Sequence, residues 1–350
     1  MGVGSAAGGI IFGRGARIGP LATYRGMATE FASALPEPAA HGCRPGFPPE
    51  PSCNPAEALA WLQSGLVDDG MQAALRCLAE ERGDRELLWQ LRENPFLRVA
   101  AAPPYGYEGD PTVIDFALGV APLPADTTPL GLAMYRWMAA NSVTVAAFRA
   151  RRRYVAARLD RAADCQPGAA IVGVFGGHGR ELSASRAWRE GRAAVQLIDF
   201  DARVLERAVR DNAAWGTVSA RPAPLADLLS GRVPLTDCGL IYAPSVADNL
   251  PDNTLAQLLQ SLVPALRPYG EIVVPAFTRM PEPGLLEMVS DWEPNTRSLA
   301  RLRYLVRGID AAVATIHDEP TLGVAYLHLQ RRPRSVPTPV GGVVPSGLVS

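Results

Sequence analysis

Three glycines around a histidine, Gly176-Gly177-His178-Gly179, separate two short apolar runs, and an aspartate, Asp199, closes the second run. The first run, 169–175 (AAIVGVF), has the length of a buried parallel strand, and the second covers 193–198 (AAVQLI). Glycines at a turn let the backbone approach a ligand that a Cβ would exclude. An acid about 20 residues further on is placed to accept hydrogen bonds from a ribose diol. The pattern predicts a strand, a glycine turn, a helix from about Arg180 to Glu190, a second strand and a terminal acid, which is a nucleotide-type βαβ unit. A plainer reading stands beside it, since any parallel α/β domain turns on glycines after its strands.

The spacing is not G-x-G-x-x-G, the turn that seats a dinucleotide pyrophosphate, and no G-x-x-x-x-G-K-[ST] occurs. The chain has no lysine at all, which removes both a P-loop lysine and a pyridoxal-phosphate Schiff base. An adenosyl ligand without a pyrophosphate fits better, and S-adenosylmethionine (SAM) is the candidate. Glu181, just past the turn, is expected near the cofactor's amino group, with helix capping as the alternative. His178 is a candidate base, or a ring packed on adenine or facing solvent.

Other chemistry-bearing residues lie upstream. The segment Pro103-Pro104-Tyr105-Gly106-Tyr107-Glu108-Gly109-Asp110-Pro111 reads as a lid over a ligand, or as a turn packed on a neighbouring domain. Tyr107 is expected to contribute to an aromatic wall beside a sulfonium, Tyr107 and Asp110 to touch substrate, and Asp110 to stand by as a base. Asn141 interrupts an apolar run, either as a helix cap or as an amide aimed at a ligand; it is counted with the catalytic and substrate-binding candidates. The run Arg149, Arg151, Arg152, Arg153 is a solvated helix face or a carboxylate grip. In the second case Arg149 or Arg152 would hold the methionine carboxylate, and Arg152 is also a substrate-binding candidate.

Bulk properties limit the function class. A net charge of -1 over 350 residues, with 48% hydrophobic content, describes a globular protein without the basic surface that nucleic acid requires. Five cysteines (43, 53, 77, 165 and 238) follow no ligand or disulfide spacing, so reduced thiols and a cytoplasmic location are expected, with no metal site. No apolar run approaches the roughly 20 residues of a membrane span, and the start lacks the core of a signal peptide. Oligomeric state is not legible.

In chain order, residues 1–54 are Gly-, Pro- and Ala-rich and read as a flexible arm, within which Met27 is an alternative start. Residues 55–166 carry helical periodicity (Leu59, Leu62, Leu66; Met71, Leu75, Leu78; Leu87, Leu88, Leu91) and are expected to form a helical cap or substrate domain. Helices are expected at 113–118 and at 130–159, the second broken near Asn141-Ser142. From 167 to 332 strands and helices alternate, predicting a mostly parallel sheet. Arg267 to Gly270 reads as a stop, Leu302 to Val306 as a weak strand or helix end, His317 to Pro320 as a turn, and 333–350 as a disordered tail.

The order of these pieces resembles the class I SAM-dependent methyltransferases over about Pro167 to Arg332. IYAPSVADNLPDNTLAQLLQSLVPALRPYGEIVVPAF is similar to that class's strand, turn, helix and LRPGG strand, with Tyr269 in place of a glycine. The resemblance implies a Rossmann-like, mostly parallel seven-stranded sheet with helices on both faces, joined here to an N-terminal helical cap. It implies SAM contacts from Gly176, Gly177, His178 and Gly179, with Asp199 at the ribose hydroxyls and Phe200 and Leu228 also counted as cofactor-binding. It also implies Asp227 at the adenine amine, and Tyr242 and Ala243 near the sulfonium, Tyr242 counting as catalytic with Tyr107 and Asn141. A narrower resemblance, carried by PYGYEGDPTVIDF, TPLGLAMYRWMAANS, FRARRRYVAARL, GGHGREL and DEPTLGVAYLHLQRR, is to a bacterial subgroup named after the 3-hydroxypalmitic acid methyl ester-forming methyltransferases.

The function these readings imply is methyl transfer from SAM to a small metabolite, a carboxylate or other polar acceptor, in secondary metabolism or signalling. A carboxylate acceptor needs no base, since it is already ionised at neutral pH. Two alternatives remain: a SAM-consuming cyclase of the azetidine-2-carboxylate type that releases methylthioadenosine, and a non-catalytic SAM-binding regulator.

Overall fold

The computed structural model describes residues 54–331, apart from residues 81, 291, 310 and 311. The arm expected over 1–54 therefore lies outside the described residues except for Asn54, and the tail 333–350 lies wholly outside them, as do Met27, Cys43 and Cys53.

Asn54 caps the first helix, α1 (Pro55–Gln63), through its side-chain oxygen, with proline at the first position where no backbone donor is missed. Helices α2 (Val67–Ala79), α3 (Arg85–Leu91) and α4 (Pro95–Ala101) follow, and they bury Leu62, Met71, Leu78, Leu87 and Leu91 as the periodicity predicts. Leu66 does not join them: it starts α2 and is 52% exposed. α5 (Pro111–Leu118) and α6 (Pro129–Asn141) lead to the 23-residue α7 (Val143–Cys165), so the expected break falls at Ser142. α7 belongs to two cores. Val145, Ala147 and Phe148 pack with the helical segment, while Val155, Leu159 and Ala162 pack under the sheet.

The sheet begins with β1 (Ala170–Val174), and after the short helix α8 (Arg186–Arg189) comes β2 (Ala194–Asp199). The continuous helix expected over 180–190 is absent. A 3-10 turn at Leu182–Ala184 precedes α8, because Ser185 ends the first piece and caps the second, its Oγ accepting from the Trp188 N–H. The chain continues through α9 (Ala202–Asn212), β3 (Thr217–Pro222), α10 (Leu225–Leu229), β4 (Cys238–Tyr242), α11 (Val246–Asn249), α12 (Asp252–Leu262) and β5 (Leu266–Phe277). Arg267 to Gly270, expected as a stop, lies inside β5 where its register against β4 shifts, with Tyr269 at φ 64°. α13 (Leu285–Ser290), α14 (Leu299–Leu305), β6 (Ala312–Glu319) and β7 (Val324–Arg331) complete the chain. Leu302 is thus helical, and His317 to Glu319 extend β6 rather than turning, with the turn following at Pro320–Leu322.

Strand order is β3-β2-β1-β4-β5-β7-β6, parallel through β5 and antiparallel at β7 and β6. Side chains alternate between faces: Val172, Val174, Ile241, Ile272 and Val274 enter one core, and Ile171, Leu240, Tyr242 and Val273 the opposite one. Order reverses between β1 and β4, the switch point where open α/β sheets bind ligands at the carboxyl ends of their strands. No helix among the described residues is long and apolar enough to cross a membrane.

Candidate functional site

β1 ends in a chain reversal at the switch point. Phe175 is held at φ 50°, Gly177 at 58° and Gly179 at 63°, and the Phe175 N–H donates to the Ile198 carbonyl at 2.8 Å. Phe175 is the non-glycine residue in the left-handed region here, a conformation that costs it about 1 kcal/mol. A Cβ on Gly177 would stand 3.0 Å from Pro111 Cβ, so the first turn of α5 lies directly on the glycine turn.

Asp199 ends β2 beside that turn. It is 4% exposed, and its Oδ1 accepts from the Asp201 N–H at 3.1 Å. Burial pushes its carboxyl up to about 6, against the pull of the Asp201, Phe200 and Gly177 N–H groups. The side chain is therefore turned toward Gly177. Phe200 places its ring 5.2 Å from that of Tyr107, whose phenol is pushed up by burial and by neighbouring Asp199.

Glu181 is sealed on the other side of the turn at 5% exposure. Its Oε1 faces the Tyr242 hydroxyl, and neither oxygen makes a hydrogen bond of good geometry. Burial raises the Glu181 carboxyl, and a Cβ on Gly176 would stand 3.5 Å from that oxygen. Tyr242 is not the cofactor-facing wall expected of it. It is 0% exposed, because the alternation of β4 turns it to the face covered by α7, where its hydroxyl fills the space left by the missing Gly173 side chain. Leu228 and Ala243 are core residues, and Asp227 pairs with Arg232 on the surface of α10.

The helical segment contributes groups that sequence reading did not single out. His178 Nδ1 lies 2.9 Å from Asp115 Oδ2, and His178 Nε2 lies 2.9 Å from the Tyr105 hydroxyl. Arg180 binds both oxygens of Asp115 at 2.5 Å and reaches Asp211 at 2.9 Å. Burial opposes the charge on Asp115, but the bonds from His178 and Arg180 outweigh it and hold the carboxyl below its ordinary value. The available signal was a lone acid in the apolar helix PTVIDFAL. His178 is accordingly neither solvent-facing nor free to act alone.

Four other expectations are corrected. Asp110 is 0% exposed, and its two oxygens accept at 2.6 Å from the N–H groups of Tyr105 and Thr112; it caps α5 and presents no accessible surface to a substrate. Asn141 is exposed, donates to the Trp137 carbonyl at 2.9 Å and faces a surface cleft with Gly65, Asp68 and Arg136, away from the glycine turn. The cap of α7 is Ser142, itself bound by Glu282. Arg149 donates to the Ala117 and Ala139 carbonyls, tying down two helix ends instead of a carboxylate. The arginine run is not one solvated face, because Arg151 is buried in an ion pair with Asp248 at 2.5 Å and lies 3.8 Å above the Phe277 ring.

Arg152 stays at the site. It donates to the Arg180 carbonyl at 2.8 Å and to Ser183 Oγ at 3.0 Å, and it has no carboxylate within ion-pair distance among the described residues. Burial lowers its pKa, with Glu181 acting in the opposite direction. The structure thus gathers Gly176, Gly177, His178, Gly179, Glu181, Asp199, Phe200, Tyr107 and Arg152 around one turn.

No protein-family model and no curated protein matches the chain. Among solved structures, a possible exported protein of Bordetella parapertussis aligns at TM-score 0.55 with 17% identity, over 80% of this chain and 97% of its own. The CurJ carbon methyltransferase aligns at 0.48 with 13% identity, over 79% and 81%. Magnesium protoporphyrin IX methyltransferase from Synechocystis, with bound SAH, aligns at 0.41 with 13% identity, over 55% and 87%. The fold is a Rossmann-like α/β type, a seven-stranded, mostly parallel sheet with helices. At these identities the likeness is one of fold alone.

Proposed function

We propose that the chain is a SAM-dependent methyltransferase acting on a small polar metabolite. The observation that carries this reading is the sealed Asp199 carboxylate turned to Gly177 at the sheet's switch point. The partnerless Glu181 oxygen stands on the other side of the same turn. An adenosyl sulfonium amino acid supplies the matching groups: a ribose diol for Asp199, an ammonium for Glu181 and a carboxylate for Arg152. When bound, SAM supplies an electrophilic methyl group. The chain's residues hold the two ends of the cofactor, with the Tyr107 and Phe200 rings beside the ribose end. The acceptor is read as a carboxylate or similar polar group, the location as the cytoplasm and the wider role as secondary metabolism or signalling. The subgroup resemblance to 3-hydroxypalmitic acid methyl ester-forming enzymes agrees with a carboxylate acceptor.

Glu181 also favours a second reading. A carboxyl raised by burial is suited to take a proton from a neighbouring ammonium, as small-ring closure with release of methylthioadenosine requires. One experiment separates the two. The purified protein is incubated with SAM and a panel of carboxylate, hydroxyl and amine acceptors, and the nucleoside product is read by mass spectrometry. Acceptor-dependent S-adenosylhomocysteine supports methyl transfer, and acceptor-independent methylthioadenosine supports ring closure. No SAM binding by calorimetry removes both.

A further inference from the structure

The turn from Tyr105 to Asp110 crosses the carboxyl ends of the strands. It is closed on itself by the Tyr105 N–H donating to Asp110 Oδ2, and it bends at Gly106 (φ 85°) and Gly109 (φ 72°). At one end the Tyr105 hydroxyl meets His178, the Tyr105 carbonyl accepts from Arg203 at 3.2 Å, and the Arg203 guanidinium lies 5.2 Å from the Tyr105 ring centre. In the middle Tyr107 lies on Phe200. At the other end a Cβ on Gly109 would come within 3.3 Å of Asn249, in the chain after β4, and of Trp292, in the chain after β5. The turn therefore reaches from the β2 side of the switch point to the β4 side. Neither Tyr105 nor Tyr107 belongs to a hydrophobic core, so a few polar and aromatic contacts hold it down.

The two partners of the Tyr105–His178 bond are not equally free. An ionised Asp115 only accepts, so His178 Nδ1 carries a proton, and in the neutral imidazole Nε2 presents a lone pair to the Tyr105 O–H. Asp115 is fixed by Arg180, and the Asn212 amide donates to the His178 carbonyl at 3.1 Å. His178 is a fixed keeper. Tyr105, only partly buried, is the member that can let go.

We propose that the 105–110 turn is a strap across the bound nucleoside, latched by the Tyr105–His178 hydrogen bond, and that the product nucleoside leaves only after this latch opens. The proposal rests on the SAM reading of the site. Its test is the release rate of S-adenosylhomocysteine from the full chain, measured by stopped flow on displacement with excess SAM. Tyr105→Phe keeps the ring and removes the latch, and release is expected to speed up roughly tenfold, the scale of one lost hydrogen bond. Arg203→Ala, at an exposed side chain, loosens the same end through different contacts, and release is expected to be roughly threefold faster. This second variant carries the test if the first does not fold. Tyr154→Phe breaks a similar tyrosine–histidine bond elsewhere and is expected to leave release unchanged. Unchanged release in Tyr105→Phe and Arg203→Ala overturns the strap while leaving the cofactor reading intact, and so does equal acceleration in Tyr154→Phe. A wild-type chain that binds neither nucleoside overturns the cofactor reading itself.

Discussion

The molecule twice links a tyrosine, a histidine, a carboxylate and an arginine in series, with opposite consequences. At the glycine turn, Tyr105, His178, Asp115 and Arg180 form a chain of hydrogen bonds. Under the antiparallel side of the sheet, the Tyr154 hydroxyl lies 2.7 Å from His328 Nε2, His328 Nδ1 lies 3.3 Å from Glu271, and Arg158 Nε donates to Glu271 at 2.8 Å. The second group joins α7 to β5 and β7, which are paired residue by residue from Glu271↔Gln330 to Phe277↔Val324, and Tyr154 stacks 3.6 Å from Tyr326. Those elements separate only when the domain unfolds, so this group acts as a rivet. The first group joins a rigid turn to a short segment outside the cores, and its outermost member can leave alone. Chemistry alone does not tell the two apart; what each one fastens does.

The largest effect expected is on the rivet. Glu271→Gln leaves Arg158 and His328 without their carboxylate and is expected to cost about 3 kcal/mol in denaturant unfolding at pH 7. Burial opposes the charge on Glu271, yet its bonds to His328 and Arg158 prevail and lower its pKa. The stability it contributes is therefore present above its unfolded value of 4.5 and is lost as pH falls through the lower folded value. The gap between wild type and Glu271→Gln should narrow as pH falls below 4.5, and a gap that widens there would remove the ion pair as its cause. Nucleoside release should not change.

Asp199 tests the cofactor side of the comparison, and there stability and binding should move in opposite directions. Its pKa of about 6 lies above the unfolded 3.8, so the ionised carboxylate destabilises the ligand-free chain above pH 6, and that cost fades as pH falls toward 4. Asp199→Asn should raise ligand-free stability by about 2 kcal/mol at pH 8 in thermal or denaturant unfolding. Asp199→Ala should weaken SAM binding by roughly 1–3 kcal/mol by calorimetry, since the ribose hydroxyls lose their acceptor. A destabilised Asp199→Asn chain would show that the backbone donors, not burial, dominate that site.

Smaller effects sharpen the contrast. Asp115→Asn should cost about 1–2 kcal/mol of stability and also speed nucleoside release, a second readout that Glu271→Gln lacks. Asn141→Ala should alter SAM affinity by less than about 0.5 kcal/mol, as expected for an exposed residue facing a separate cleft. A clear loss of affinity there would mean that the cleft and the glycine turn communicate.

Much of the frame was legible from local pattern. The apolar runs gave β1, β2 and β4, the glycines located the reversal at φ 58° and 63°, and the end of the second run placed Asp199 at the end of β2. Helix breaks were harder, because Ser185 and Ser142 act through side-chain bonds that compete with the backbone ladder. The arginine run shows the limit well. Four similar neighbours on one helix became a helix-end clamp at Arg149, a buried ion pair at Arg151, a donor to the Arg180 carbonyl at Arg152 and an exposed side chain at Arg153.

The sequence by itself determined the alternation of strand and helix, the glycine turn and the acid that follows it. These are consequences of side-chain periodicity and backbone freedom over a few residues. Tertiary structure alone decided that Tyr105 and Asp115 would meet His178 across 73 and 63 residues of chain, and that Tyr242 would face inward. Such contacts depend on strand order and on which face each side chain presents after packing, and no local propensity encodes either.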